Sequence, residues 1–144
     1  MAVLTEGRGT CSTKHALLAE LATEQRLPLA FMLGIYPMNE ANTPGVGRVL
    51  ARRGLAEIPE AHCYLMNDGV RIDITRDIKR RTEAIAALLY EEEIAPSQVS
   101  VYKVQMHQEF LRNWLQTMEF GKRWAFDEIW RVREECIAAL ATSL

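Results

Sequence analysis

The stretch Gly9-Thr10-Cys11-Ser12-Thr13-Lys14-His15-Ala16-Leu17-Leu18 decides how this chain is read, because it delivers a cysteine to the start of a helix. A Gly-Thr pair turns the backbone, and threonine is a good helix N-cap. Ala16, Leu17, Leu18, Leu21 and Ala22 then supply an apolar helical face, which predicts a helix from Cys11 to about Gln25. A first-turn cysteine sits among N–H groups that have no partner inside the helix, at the positive end of the helix dipole. Both effects favour the thiolate. Such a nucleophile needs a base, and the base needs an orienting group. The chain offers His62 in Ala61-His62-Cys63-Tyr64-Leu65 and Asp73 in Arg71-Ile72-Asp73-Ile74-Thr75.

Ala61 to Met66 and Val70 to Thr75 are short apolar segments around Asn67-Asp68-Gly69, a hairpin signal. Side chains alternate between sheet faces, so across an even-numbered loop an even-numbered residue shares its face with odd-numbered partners. His62 and Asp73 therefore lie on one face for any even loop. A loop of Asn67 and Asp68, or of Met66 to Gly69, sets them directly opposite; an Asp68-Gly69 loop leaves them diagonal neighbours. An odd loop, such as a bulged Asn67-Asp68-Gly69 turn, separates them unless a further bulge re-phases one strand.

Outward from these elements, Leu27-Pro28-Leu29 ends the first helix, and Leu29 to Tyr36 reads as a strand buried on both faces. Asn39, Asn42, Pro44, Gly45 and Gly47 mark a loop between Pro37 and Pro59, with a short basic helix around Val46 to Arg53. After Thr75 the pattern turns helical. Asp77 or Thr82 can cap a helix carrying Ile85, Leu88 and Leu89 and ending near Glu93, before Pro96 and Ser97 interrupt the chain. Val101, Val104, Leu111, Leu115 and Met118 follow at helical spacing, Gly121 breaks the pattern, and Asp127 to Ala141 predicts a last amphipathic helix. The fold class is α+β: an N-terminal cysteine-bearing helix packed on a small antiparallel sheet, followed by two or three C-terminal helices.

The chain has 144 residues, 49% of them hydrophobic, which fits one domain with a sizeable core. Seventeen Lys and Arg against nineteen Asp and Glu give a formal net charge of −2, with both signs interspersed. That balance argues against nucleic acid or an anionic membrane as a partner. Met1 to Gly9 holds no apolar signal-peptide core, and the longest apolar run, Leu27 to Met38, is broken by Pro28, Gly34 and Pro37. Cys11, Cys63 and Cys136 are odd in number and far apart, unlike a disulfide framework. The expectation is a soluble cytoplasmic protein with reduced thiols.

A cysteine at a helix start, then His, then Asp on adjacent strands, resembles the transglutaminase-like superfamily of the papain-like fold. The resemblance rests on Gly9-Thr10-Cys11 running to Leu18, on the strand Leu29 to Tyr36, and on Asp73-Ile74-Thr75, and it covers about Gly7 to Thr75. It implies a single domain over residues 1–144, with 1–76 as the catalytic-type core and 77–144 as a helical carboxyl part that covers the sheet or makes a partner interface, including one between copies. It also implies a cysteine acyltransferase or amide or peptide hydrolase. Cys11 is then the nucleophile, His62 the base and acid, and Asp73 its orienter, acting on a peptide or amide-bearing substrate without metal or other cofactor. The sequence departs from the family ahead of the cysteine: ten residues precede Cys11, with no Gln or Asn among them to donate to an oxyanion. Ser12 replaces the frequent aromatic residue after the cysteine, and the aromatic pattern after His is reduced to Cys63-Tyr64-Leu65. A second oxyanion donor is expected elsewhere, from Asn39, Asn42 or Gln105. A catalytically silent binding or assembly module on the same core is the alternative.

Other residue groups compete less well. Cys11 and His15 stand at i and i+4, with His62, Cys63 and His107 elsewhere, so a zinc site is conceivable, but no paired Cys-x-x-Cys or His-x-x-x-His supports it. Arg76, Lys79, Arg80 and Arg81 read as a solvated helix start before an acidic-substrate contact. Gly45 and Gly47 lack the Gly-Lys-Ser/Thr of a phosphate loop. Trp114, Trp124 and Trp130 read as core or interface anchors.

Overall fold

The computed structural model describes residues 9–74, 87–117 and 123–142. Its first helix, α1 (Cys11–Glu24), opens on Thr10, whose extended backbone and hydroxyl, accepting from the Thr13 N–H, form the N-cap. The helix ends at Gln25, and Arg26 turns the chain with a φ of 56° while the Leu27 N–H reaches back to the Ala22 carbonyl at 2.8 Å. The buried face of α1 differs from the leucine-rich one expected: Ser12, His15, Ala16, Ala19 and Ala22 are buried, whereas Leu21 is 44% exposed. These residues recur at three- and four-residue steps, and their small side chains give the helix a close-packing stripe.

Four strands follow: β1 (Ala30–Met38), β2 (Ile58–Asn67), β3 (Val70–Ile72) and β4 (Tyr90–Glu93). They form an antiparallel sheet in the order β3-β2-β1-β4. Residues 58–65 of β2 are all buried, as a central strand covered on both faces requires. The remaining elements are α2 (Gly47–Arg52), a 3₁₀ turn at Pro96–Val99, α3 (Val101–Thr117) and α4 (Phe126–Thr142).

The β2–β3 hairpin settles the register. Leu65 faces Ile72 and Asn67 faces Val70, leaving a two-residue Asp68-Gly69 loop with φ values of 47° and 76°. Two left-handed residues make a type I′ turn, whose twist matches that of the strands. Continuing this register sets Asp73 across from Tyr64, one same-face position from His62, which is the diagonal arrangement. Asp73 itself lies just past the end of β3.

Tyr90–Glu93 corrects the helix expected to end near Glu93. This stretch pairs with β1 from Met32↔Glu93 to Ile35↔Tyr90, and Leu88 and Leu89 precede it in irregular chain. Tertiary pairing overrides local propensity here. Glu91 is tied to Arg71 and accepts the Tyr64 hydroxyl, and Glu92 accepts the Tyr102 hydroxyl at 2.9 Å. The expected caps Asp77 and Thr82, with Ile85, lie outside the described residues.

The chain divides into two compact units, residues 1–36 with 61–104 and residues 37–60 with 105–144. The first is built on the alanine stripe of α1, Phe31, Leu33, Ile35 and Tyr36 of β1, and Cys63, Tyr64 and Leu65 of β2. Gly34 lets Leu88 and Tyr64 approach the backbone, since a Cβ there meets them at 2.9 and 3.1 Å. In the second, Leu50, Ile58, Leu111, Ile129 and Val132 are almost fully buried. The same unit holds a polar pair: Arg133 donates to both Glu60 oxygens at 2.6 and 2.8 Å, and His107 Nε2–H donates to the Pro59 carbonyl at 2.9 Å. The loop ahead of α2 is closed by Glu40, which accepts from the Gly45 and Gly47 N–H groups.

Candidate active site

The first unit contains Cys11, His62 and Asp73. Cys11 is the first residue of α1, half-buried, and its own N–H has no carbonyl one turn back to bind. His62, on β2, is buried, and its Nε2 lies 2.7 Å from Oδ2 of the fully buried Asp73 side chain. In the neutral ring, Nε2–H donating to the carboxylate fixes the tautomer and leaves Nδ1 as the acceptor nitrogen. Tyr64 stacks beside the His62 ring, centroids 6.4 Å apart, and Tyr36 meets it edge-on at 6.2 Å. Because the Tyr64 hydroxyl is itself held by Glu91, the imidazole is packed against an anchored ring.

The electrostatics follow from this packing. Burial pushes the Cys11 thiol up, but the His62 hydrogen bond, the His62 and Lys103 charges and a Ser12 hydrogen bond outweigh it, bringing the thiol from 9.0 down to about 6. Burial pushes the His62 imidazolium down, yet hydrogen bonds with Asp73 and Cys11, and their charges, lift it from 6.5 to about 9. Between those values the pair is a thiolate and an imidazolium. The other two thiols behave oppositely: burial raises Cys63, and it raises Cys136 to about 11, helped by Glu60 and Glu135.

His15 has a part the sequence did not assign. It is fully buried, its Nδ1–H donates to the Cys11 carbonyl at 2.9 Å, and its Nε2 accepts the Ile74 N–H at 3.0 Å. Nε2 also stands 3.5 Å from Asp73 Oδ1. Burial holds its pKa below the ordinary value, so the ring is neutral and clamps the cysteine turn to the backbone just after Asp73. Its spacing of four from Cys11 is the signal that places it under that carbonyl. Both nitrogens that a zinc site would use are thus in backbone hydrogen bonds. Among the described residues no group of three His, Cys, Asp or Glu side chains is arranged to hold a metal ion.

Two further residues join the site. Ser12, buried, lies with Oγ 3.8 Å from Cys11 Sγ, and Lys103 of α3 donates to that Oγ at 2.6 Å. Nothing in the local sequence announces Lys103, which is 91 residues away from its partner. The three side chains named as possible oxyanion donors all belong to the second unit. Asn39 and Asn42 both donate to the Pro37 carbonyl in the loop of the second unit, and Gln105 is an exposed residue of α3. Arg76, Lys79, Arg80 and Arg81 lie outside the described residues. Trp130 packs against His107 and Phe126, while Trp114 and Trp124 line an apolar pocket with Leu55 and Leu115.

Comparison with protein-family models, with characterised proteins and with solved structures gives no significant match. Among the described residues no helix is long and apolar enough to cross a membrane.

Proposed function

We propose that this chain is a transglutaminase-like cysteine acyltransferase or amide or peptide hydrolase, with a papain-like core, acting in the cytoplasm. The observation that carries the reading is the buried His62 Nε2 to Asp73 Oδ2 bond of 2.7 Å beside a helix-initial cysteine whose thiol is lowered to about 6. Three free cysteines suit a reducing compartment.

In this reading the Cys11 thiolate attacks the substrate carbonyl carbon, and the C=O pair moves onto oxygen as a tetrahedral oxyanion. The Cys11 N–H is placed to donate to it. The imidazolium of His62 gives its Nδ1 proton to the leaving amine as the C–N bond breaks, leaving a thioester and a neutral imidazole. Nδ1 then takes a proton from an incoming amine or water, which attacks the thioester and restores the thiolate. Asp73 keeps the proton on Nε2 and steadies the transient charge throughout.

The test is the pH dependence of Cys11 alkylation, read by peptide mass spectrometry with Cys63 and Cys136 as internal controls, in the parent protein and in His62→Ala. The expected result is a Cys11 midpoint near pH 6 that rises when His62 is removed, with the control thiols slow. Trapping with an activated acyl donor then places a thioester on Cys11, absent in Cys11→Ser. A Cys11 midpoint in the ordinary thiol range overturns the nucleophile assignment and leaves the silent module.

A further inference from the structure

We infer that Lys103 is a positioning residue for the nucleophile, holding Cys11 as a thiolate through the hydroxyl of Ser12. This deepens the proposed reading and rests on it. The argument starts from donors and acceptors. A lysine ammonium only donates, so the 2.6 Å contact makes Ser12 Oγ the acceptor. The hydroxyl's own proton is then left to point elsewhere, and Cys11 Sγ lies 3.8 Å away. The result is a directed chain, Lys103 Nζ–H to Ser12 Oγ and Ser12 Oγ–H to Cys11 Sγ, that favours a negative sulfur at its end.

Lys103 is half-buried, and among the described residues no carboxylate lies within ion-pair distance of it. An ammonium taken partly out of water with no acid beside it is costly unless an anion lies nearby. The thiolate is that anion. Burial of Ser12 keeps water from competing for the hydroxyl.

The titratable and charged groups around Cys11 are few. His62 and Cys63 of β2 and Lys103 of α3 act on it, and Asp73 acts through His62 from the chain after β3. His15 and Lys14 lie on α1 itself. Cys63 also lies against Ser12, but burial keeps it a neutral thiol and it does not take the thiolate's place. His15 is neutral, so the positive charge acting on the sulfur comes from His62 on one side and Lys103 on the other.

The test is a titration of the Cys11 thiolate, by ultraviolet absorbance against Cys11→Ser and by alkylation rate, in the full chain and in Lys103→Met, Lys103→Arg and Ser12→Ala. The expected result for Lys103→Met is a midpoint about one pH unit higher, so about tenfold less thiolate below the parent midpoint. Lys103→Arg keeps the charge and restores most of the parent profile, while Ser12→Ala gives a smaller upward move. Unchanged circular dichroism and thermal midpoint show that folding is not the cause. A low parent midpoint that Lys103→Met leaves in place overturns this inference and spares the proposed function; an ordinary parent midpoint overturns the function itself. Lys103→Arg behaving like Lys103→Met also overturns the inference, because side-chain shape and not charge is then what matters.

Discussion

Asp73→Asn removes one charge and keeps the volume. In the parent, Asp73 accepts from His62 Nε2–H at 2.7 Å and is among the groups that lift His62 to about 9. Without the carboxylate, burial dominates and His62 becomes neutral near pH 7, so the thiol loses its main attractive partner and climbs from about 6 toward 9.0. A full return corresponds to roughly 4 kcal/mol. At pH 7 the thiolate fraction then falls from about 90% to about 1%. A more basic thiolate is also a better nucleophile, by roughly 15- to 30-fold over that interval at a Brønsted coefficient of about 0.4–0.5. The two effects nearly cancel, so alkylation at pH 7 slows only about three- to sixfold. The profile discriminates where the single-pH rate does not. Iodoacetamide kinetics from pH 5 to 10 should show the midpoint moving above about pH 8 and a high-pH plateau above that of the parent. A folded Asp73→Asn protein whose midpoint stays near pH 6 would refute the idea that the carboxylate supports the imidazolium.

Three other outcomes can be checked. Arg133→Met leaves Glu60 buried with His107 Nε2 4.0 Å away, and since the Arg133 side chain is 21% exposed, urea denaturation should show a loss of about 2–3 kcal/mol, below the range for fully buried pairs. Gly69→Ala puts a Cβ on a residue at φ 76°, which should cost about 1 kcal/mol in the same assay and leave the Cys11 midpoint in place if the hairpin register survives. His15→Leu strips the Cys11 carbonyl and the Ile74 N–H of their imidazole partner, with an expected loss of about 1–2 kcal/mol by thermal unfolding.

How much of this was legible in the sequence depends on how local the signal is. The start of α1 at Cys11 was readable because Thr10 and the residues after it act within one turn. The diagonal placing of His62 and Asp73 was narrowed to a choice of loop, and Asp68-Gly69 is the pair that tolerates two left-handed residues. The buried face of α1 keeps Ala16 and Ala22 of the expected set and leaves Leu21 exposed, because close packing selects small side chains where hydrophobicity alone favours leucine. Strand β4 was hidden for a similar reason: Tyr90-Glu91-Glu92-Glu93 has no strand pattern of its own and becomes a strand through β1, Arg71, Tyr64 and Tyr102. Lys103 reaches Ser12 from a distant helix, and no spacing rule spans that separation.

On the proposed reading, Lys103, Cys11, His62 and Asp73 carry charges of alternating sign: ammonium, thiolate, imidazolium, carboxylate. Each inner charge has an outer partner of opposite sign, and neutral His15 adds no further cation next to His62. In this arrangement the outer charges offset the burial that by itself disfavours both members of the proposed pair. It also separates the roles of the two ends. Losing either outer group raises the thiol and moves the acidic limb of a turnover profile up. The basic limb, which reports the imidazolium needed to protonate the leaving amine, responds differently. Asp73→Asn removes an anion from beside His62 and moves that limb down from about 9, collapsing the active window from both sides. Lys103→Met removes a cation from the neighbourhood, so the basic limb stays or rises and the window narrows from the acidic side alone. The chain of charges therefore predicts two shapes of pH profile from two single substitutions.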